Sequence, residues 1–126
     1  MKTRAELVLI IFLKTIYLHI FFKLNKFNCI INKYTNLISI TKITFANPFK
    51  ITKFIRLILK FLFLSKNCFH RSFITASVLK TLGIKVNLVI GVSCINSFKS
   101  HAWIEVNGIP ILENDSLSNF EIIYKA

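Results

Sequence analysis

The spacing of apolar positions changes along the chain, and each change marks a different element. Residues 5–26 are almost continuously apolar, which predicts one long helix. Between 27 and 46, Ile, Thr, Asn and Lys follow one another without a clean period, and no definite element is predicted. Asn47-Pro48 then reads as a helix start, with Asn as N-cap and Pro in the first turn. The segment Phe49 to Leu64 carries Lys53, Arg56 and Lys60 at spacings of three and four, so these cations share one helix face and the rest is nearly all apolar. That face is either a solvated stripe on a core helix or a contact surface for anionic lipid or an acidic peptide.

Ser65-Lys66-Asn67 interrupts the apolar run, and Ser65 or Asn67 can cap a new helix from about Cys68 to Leu82. Phe69, Phe73, Ala76, Val78 and Leu79 supply its apolar positions, and Gly83 stands where a left-handed residue ends a helix. The period then falls to two. Ile84 to Val92 predicts a strand with Val86, Leu88, Ile90 and Val92 on one face. After a loop from Ser93 to Lys99, His101 to Val106 forms a second strand, Asn107-Gly108 a hairpin turn and Ile109 to Glu113 a third strand. Phe120 to Tyr124 is a candidate fourth strand, and no internal repeat is visible.

At 126 residues and 54% hydrophobic, with 13 Phe, the chain can bury a core of its own, and it fits one domain. The net charge of +12 is unevenly distributed, because no Asp or Glu occurs between Leu7 and Ile104. A basic surface favours acidic partners, although the abundance of Lys, Asn, Ile and Phe is also what an A+T-rich coding bias produces. No nucleic-acid-binding motif is present, so nucleic acid is not expected as a partner. The three cysteines, Cys29, Cys68 and Cys94, are odd in number and lack C-x-x-C spacing. This argues against a disulfide framework and a zinc site, and for a reducing, cytoplasmic setting. The run Leu7 to Phe22 follows basic residues as a signal peptide would, but it lacks a small-residue cleavage site. It is shorter than the roughly 20 residues of a membrane span, and Lys14 lies near its middle. A buried or partner-facing helix is the first reading, and association with a membrane surface the second.

Two residues have the placement for chemistry. Cys68 falls in the first turn of its helix, where the positive end of the helix dipole and Arg71 one turn on both favour a thiolate. Its backbone N–H, unused by the helix, can donate to the oxyanion of a tetrahedral intermediate. Cys29 and Cys94 lack such a setting and read as packing cysteines. Among the histidines, His19 belongs to the first apolar helix and His70 points some 200° away from Cys68 on a helix. That leaves His101, on a strand near acidic residues, as the base. The acceptor that orients its ring depends on hairpin register. A three-residue turn pairs Glu105 with Ile109 and sets His101 opposite Glu113, whereas a two-residue turn pairs Val106 with Ile109 and sets it opposite Asn114. Asp115 is a third candidate if the strand bulges. Trp103 shares the face of His101, where it either shields the His–acid bond or simply packs, and Arg71 either tunes the thiol or binds an acidic group. Gly91 either keeps a substrate path open or permits close strand packing.

The ordered set Cys68-x-x-Arg71, Leu82-Gly83-Ile84, Leu88-Val89-Ile90-Gly91-Val92, and Phe98-x-x-His101-Ala102-Trp103-Ile104-Glu105 with Asn107-Gly108 resembles one family. It is similar to the transglutaminase-like cysteine peptidases of lasso-peptide biosynthesis, the family of the microcin-processing protein's C-terminal domain, over about residues 66–115. The resemblance implies an α+β fold. N-terminal helices (1–65) join a papain/transglutaminase-like core (66–126) in one compact unit, with the Cys-bearing helix packed on a small antiparallel sheet. It implies removal of the leader from a ribosomally made precursor, with Cys68 as nucleophile and His101 as base. The family's third member is usually an Asp twelve residues after the His. Glu113 occupies that place here, its carboxylate one methylene further out.

No cofactor or metal is implied, and without a P-loop the chain has no sign of ATP use. The residues before Cys68 lack the strand-rich pattern of the small winged-helix leader-recognition domain that some members carry. A separate leader-recognition protein and an ATP-dependent lasso cyclase are therefore the expected partners. Three alternatives stand beside this reading: a transglutaminase-like acyltransferase, a non-catalytic peptide-binding or membrane-associated module, and a degenerate or truncated copy.

Overall fold

The structure, a computed structural model, describes residues 3–39, 47–62, 67–113 and 117–126. Among the described residues, four α-helices precede a four-stranded antiparallel sheet, giving an α+β fold. Helix α1 (Arg4–Leu24) begins with a capping box in which Thr3 and Glu6 exchange side-chain and backbone hydrogen bonds. Helix α2 (Phe27–Thr35) lies where no definite element was predicted. At nine residues it is too short to be stable alone. The helix is fixed by Ile30 and Tyr34, which are buried one turn apart, and by the Tyr34 hydroxyl, which donates to the Ala126 main-chain oxygen at 2.9 Å. Helix α3 (Pro48–Phe61) starts at the predicted cap, the Asn47 side chain accepting from the Phe49 N–H.

Helix α4 (Cys68–Thr81) is the hub of the molecule. Every residue from Ser72 to Leu79 is buried, and the helix touches α1, α3 and the sheet. Such a helix shows little amphipathic contrast, and its two buried threonines bond carbonyls one turn back, Thr75 to Arg71 and Thr81 to Ser77. It ends at Gly83, whose φ of 81° allows the Ile84 N–H to reach back to the Leu79 carbonyl.

The strands β1 (Asn87–Ser93), β2 (Lys99–Val106), β3 (Ile109–Pro110) and β4 (Glu121–Lys125) lie in the order β3-β2-β1-β4. Leu88 and Ile104 face each other across β1 and β2 and join the apolar cluster built around Phe73, Ile74 and Leu79 of α4. Strand β3 is shorter than the predicted Ile109–Glu113. Pro110 offers no N–H to a ladder, and Leu112 adopts φ 52°, which turns the chain away after Ile111.

Helix α1 is long and apolar enough to cross a bilayer by length and composition, with only 22% of its most apolar window buried. Ile11, Thr15, Leu18 and His19 are inside, whereas Val8, Leu9, Leu13 and Ile20 remain about half exposed. His19 meets His70 of α4 in a buried imidazole pair, Nδ1 to Nε2 at 2.9 Å, with Phe22 edge-on to the His70 ring. Both histidines set aside by the sequence reading thus tie α1 to the first turn of α4.

Candidate active site

Asn67 caps α4 by accepting from the His70 N–H at 2.8 Å, and the first intrahelical bond runs from the Arg71 N–H to the Asn67 carbonyl. Cys68 is therefore the first helical residue, and its N–H precedes the helical bonds. One turn on, the buried Ser72 hydroxyl donates to the Ala102 carbonyl at 3.0 Å. Ser72 sits above Cys68 on the helix, and Ala102 follows His101 on β2. This bond ties the thiol's helix to the imidazole's strand.

Arg56, Cys68, Arg71, His101, Leu112 and Glu113 all line one cavity of about 230 Å³. Glu113 Oε1 lies 2.8 Å from His101 Nε2, with both side chains mostly shielded from solvent. The route by which Glu113 arrives differs from either simple register. The turn at Asn107-Gly108 has two residues with positive φ, 54° and 77°, so Val106 pairs with Ile109 and Glu105 with Pro110. Straight counting from that register would place Asn114 opposite His101. The left-handed backbone at Leu112 ends the ladder after the Ile111 N–H bonds the Ile104 carbonyl, and Glu113 then swings to the imidazole. The three-residue turn that would have set Glu113 opposite His101 does not form. Asn114 and Asp115 lie outside the described residues.

Arg56 belongs to the cationic face expected to be either a solvated stripe or a contact surface for lipid or an acidic peptide, but it is half-buried and donates from Nη1 to the Leu112 carbonyl at 2.8 Å. It thus holds the residue that turns the chain toward His101. Burial, and then the neighbouring Arg71, push the Arg56 guanidinium below its ordinary pKa, while Glu113 acts in the opposite direction. A cation on an otherwise apolar helix that is not matched by an acid nearby in sequence was the available signal. Only the fold shows that Leu112 is its partner.

Trp103 stacks on His101 with ring centroids 5.9 Å apart and planes 24° from parallel. Its indole N–H donates to Glu105, which in turn meets Lys125 of β4 at 2.9 Å. Phe120 packs against both rings. Gly91 pairs directly with His101, and a Cβ there would come within 3.0 Å of the indole and of the Phe120 Cβ. Gly91 thus makes room for the aromatic packing. Cys29 and Cys94 are exposed, contrary to their reading as packing cysteines, because α2 turns Cys29 outward and the loop after β1 carries Cys94 into solvent.

The model of one family, described as the transglutaminase-like superfamily, matches residues 44–125, well over half of the chain. The chain belongs to the transglutaminase-like superfamily. The matched span takes in α3 as well as the Cys-bearing helix and the sheet, so Arg56 falls within it. No curated protein and no solved structure gives a significant match. Members of this superfamily are generally enzymes of the cysteine-protease type, and the cavity between α4 and β2 holds the residue types such an enzyme needs.

Proposed function

We propose that the chain is a cysteine peptidase that removes the leader from a ribosomally synthesised lasso-type precursor. The observation that carries this reading is the His101–Glu113 hydrogen bond on the wall of the cavity that Cys68 also lines. Glu113 holds Nε2, so the thiol proton passes to Nδ1, the ring nitrogen on the other side of the imidazole. The Cys68 sulfur attacks the scissile carbonyl, and the Cys68 N–H at the start of α4 donates to the oxyanion. His101 returns the proton to the leaving amine and leaves a thioester on Cys68. Water, deprotonated by His101, releases the acid and restores the thiol. The lasso substrate class rests on the similarity of the motifs around Cys68 and His101. A separate recognition protein is expected to present the leader, with an ATP-dependent cyclase acting on the released core peptide.

The test is cleavage of a cognate precursor in the presence of its recognition protein, followed by mass spectrometry. Cys68→Ala and His101→Ala are each expected to abolish product, and cleavage surviving in Cys68→Ala would refute the proposal. A second reading is favoured by the superfamily itself, in which an amine rather than water resolves the thioester. Added primary amines would then appear in the product. Hydrolysis products alone, at high amine concentration, would rule out the acyltransferase.

A further inference from the structure

Two guanidinium groups share the small cavity with Cys68. Arg71 rises from α4 one turn after the cysteine, and Arg56 comes across from α3. The N-terminus of α4 adds the positive end of its dipole to the same space. Among the described residues, the one carboxylate on the cavity wall is Glu113, and it is engaged by His101. Neither arginine forms an ion pair among the described residues. Arg56 spends one nitrogen on the Leu112 carbonyl, and its buried Nε has no hydrogen-bond partner there. Burial does most to lower the Arg56 pKa, repulsion from Arg71 lowers it further, and Glu113 acts in the opposite direction. A guanidinium fork is matched by a planar carboxylate, which can accept two parallel N–H bonds.

We infer that this cavity is a carboxylate-binding subsite built by Arg56 and Arg71, and that the substrate places an acidic group beside the carbonyl attacked by Cys68. The volume of about 230 Å³ lies below the usual range for whole small-molecule sites, so it accommodates a side chain or a chain end rather than a folded partner. The inference rests on the peptidase reading for the identity of its occupant, but its test does not require turnover.

Iodoacetate and iodoacetamide alkylate the same sulfur and differ by one negative charge, so their rate ratio reports the potential at each thiol. Cys29 and Cys94, exposed in the same molecule, provide the internal reference against the general effect of the +12 chain. The iodoacetate-to-iodoacetamide ratio at Cys68, read by peptide mass spectrometry, is expected to exceed that at both references, by about fivefold for each guanidinium at contact distance. Arg71→Met and Arg56→Met are each expected to lower it by a similar factor. Since Arg56→Met also releases the Leu112 carbonyl, Arg71→Met is the cleaner variant, and the neutral reagent corrects for any change in access. A ratio no higher than at Cys29 and Cys94, or a high ratio unmoved by both substitutions, overturns the subsite.

Two small ligands separate the sources of the carboxylate. Protection of Cys68 from iodoacetamide by N-acetylaspartate methylamide marks an internal acidic side chain, and protection by N-acetylalanine marks a chain terminus. Protection no better than that given by neutral N-acetylalanine methylamide overturns the proposal. A raised, arginine-dependent ratio in a protein that cleaves no precursor would leave the subsite standing and remove only the peptidase reading.

Discussion

At the scale of single residues, the position of Glu113 is set by conformation rather than by register. Counting from the two-residue turn leads to Asn114, and it is the left-handed Leu112, held through its carbonyl by Arg56, that delivers Glu113 to His101. A leucine with positive φ has no sequence signature, because its side chain gains nothing from that conformation. Cys68 and His101 could be singled out from the sequence because a capped helix start and a period-two strand are local patterns. The Arg56–Leu112 contact could not, since it joins residues from opposite halves of the chain. Glu113 is expected to act by orienting and stabilising the imidazole. Glu113→Ala should therefore lower kcat by about 100-fold or more while changing KM little. Glu113→Asp, one methylene shorter, should retain more activity than the alanine variant. Steady-state kinetics on the precursor checks both, and a KM effect without a kcat effect would assign Glu113 to substrate binding instead.

Among the elements, α4 shows both how much and how little of the fold a sequence reveals. Its ends follow from Asn67 and Gly83, whose capping roles are chemical and local. Its burial on nearly every side weakens the helical stripe that would have announced which neighbours cover it. Helix α2 went unpredicted for a related reason: its nine residues depend on tertiary anchors at Ile30 and Tyr34 rather than on propensity. The bond from Ser72 to the Ala102 carbonyl fixes α4 against β2, so Ser72→Ala should have two measurable effects. Urea unfolding should show a loss of about 1–3 kcal/mol, since the buried carbonyl loses its donor. Precursor cleavage should slow by more than the loss of folded protein accounts for, because a shift of α4 against β2 misplaces Cys68 relative to His101.

For the molecule as a whole, α2, β1 and the residues after β4 are joined through Tyr34. Burial raises its phenol to about 12, with the backbone contact at Leu88 acting in the opposite direction. Its hydroxyl reaches the main-chain oxygens of Val86 and Ala126. A folded state that favours the neutral phenol contributes stability in full below the ordinary tyrosine range, near pH 10, and loses it as pH rises toward 12. Burial of Tyr124 has the same sign, and the depressed Lys80 works in the opposite sense from a more exposed position. Thermal melting should thus show Tm falling steeply between about pH 10 and 12, less so in Tyr34→Phe, and a flat profile would contradict the burial of this phenol. The architecture also predicts where the chain tolerates change. Gly91 carries no functional group and stands on a different strand from the imidazole. Nevertheless, a single methyl at that position would press within 3.0 Å of the indole that supports His101 and of the Phe120 Cβ, so one of them must give way. Gly91→Ala should therefore lose about 1–3 kcal/mol in urea unfolding together with most of its activity, and Trp103→Phe should restore part of the stability by vacating the space. In a saturation mutagenesis screen scored on product, position 91 would then be as intolerant as Cys68 itself, and a map of intolerance alone would count it among the reacting residues.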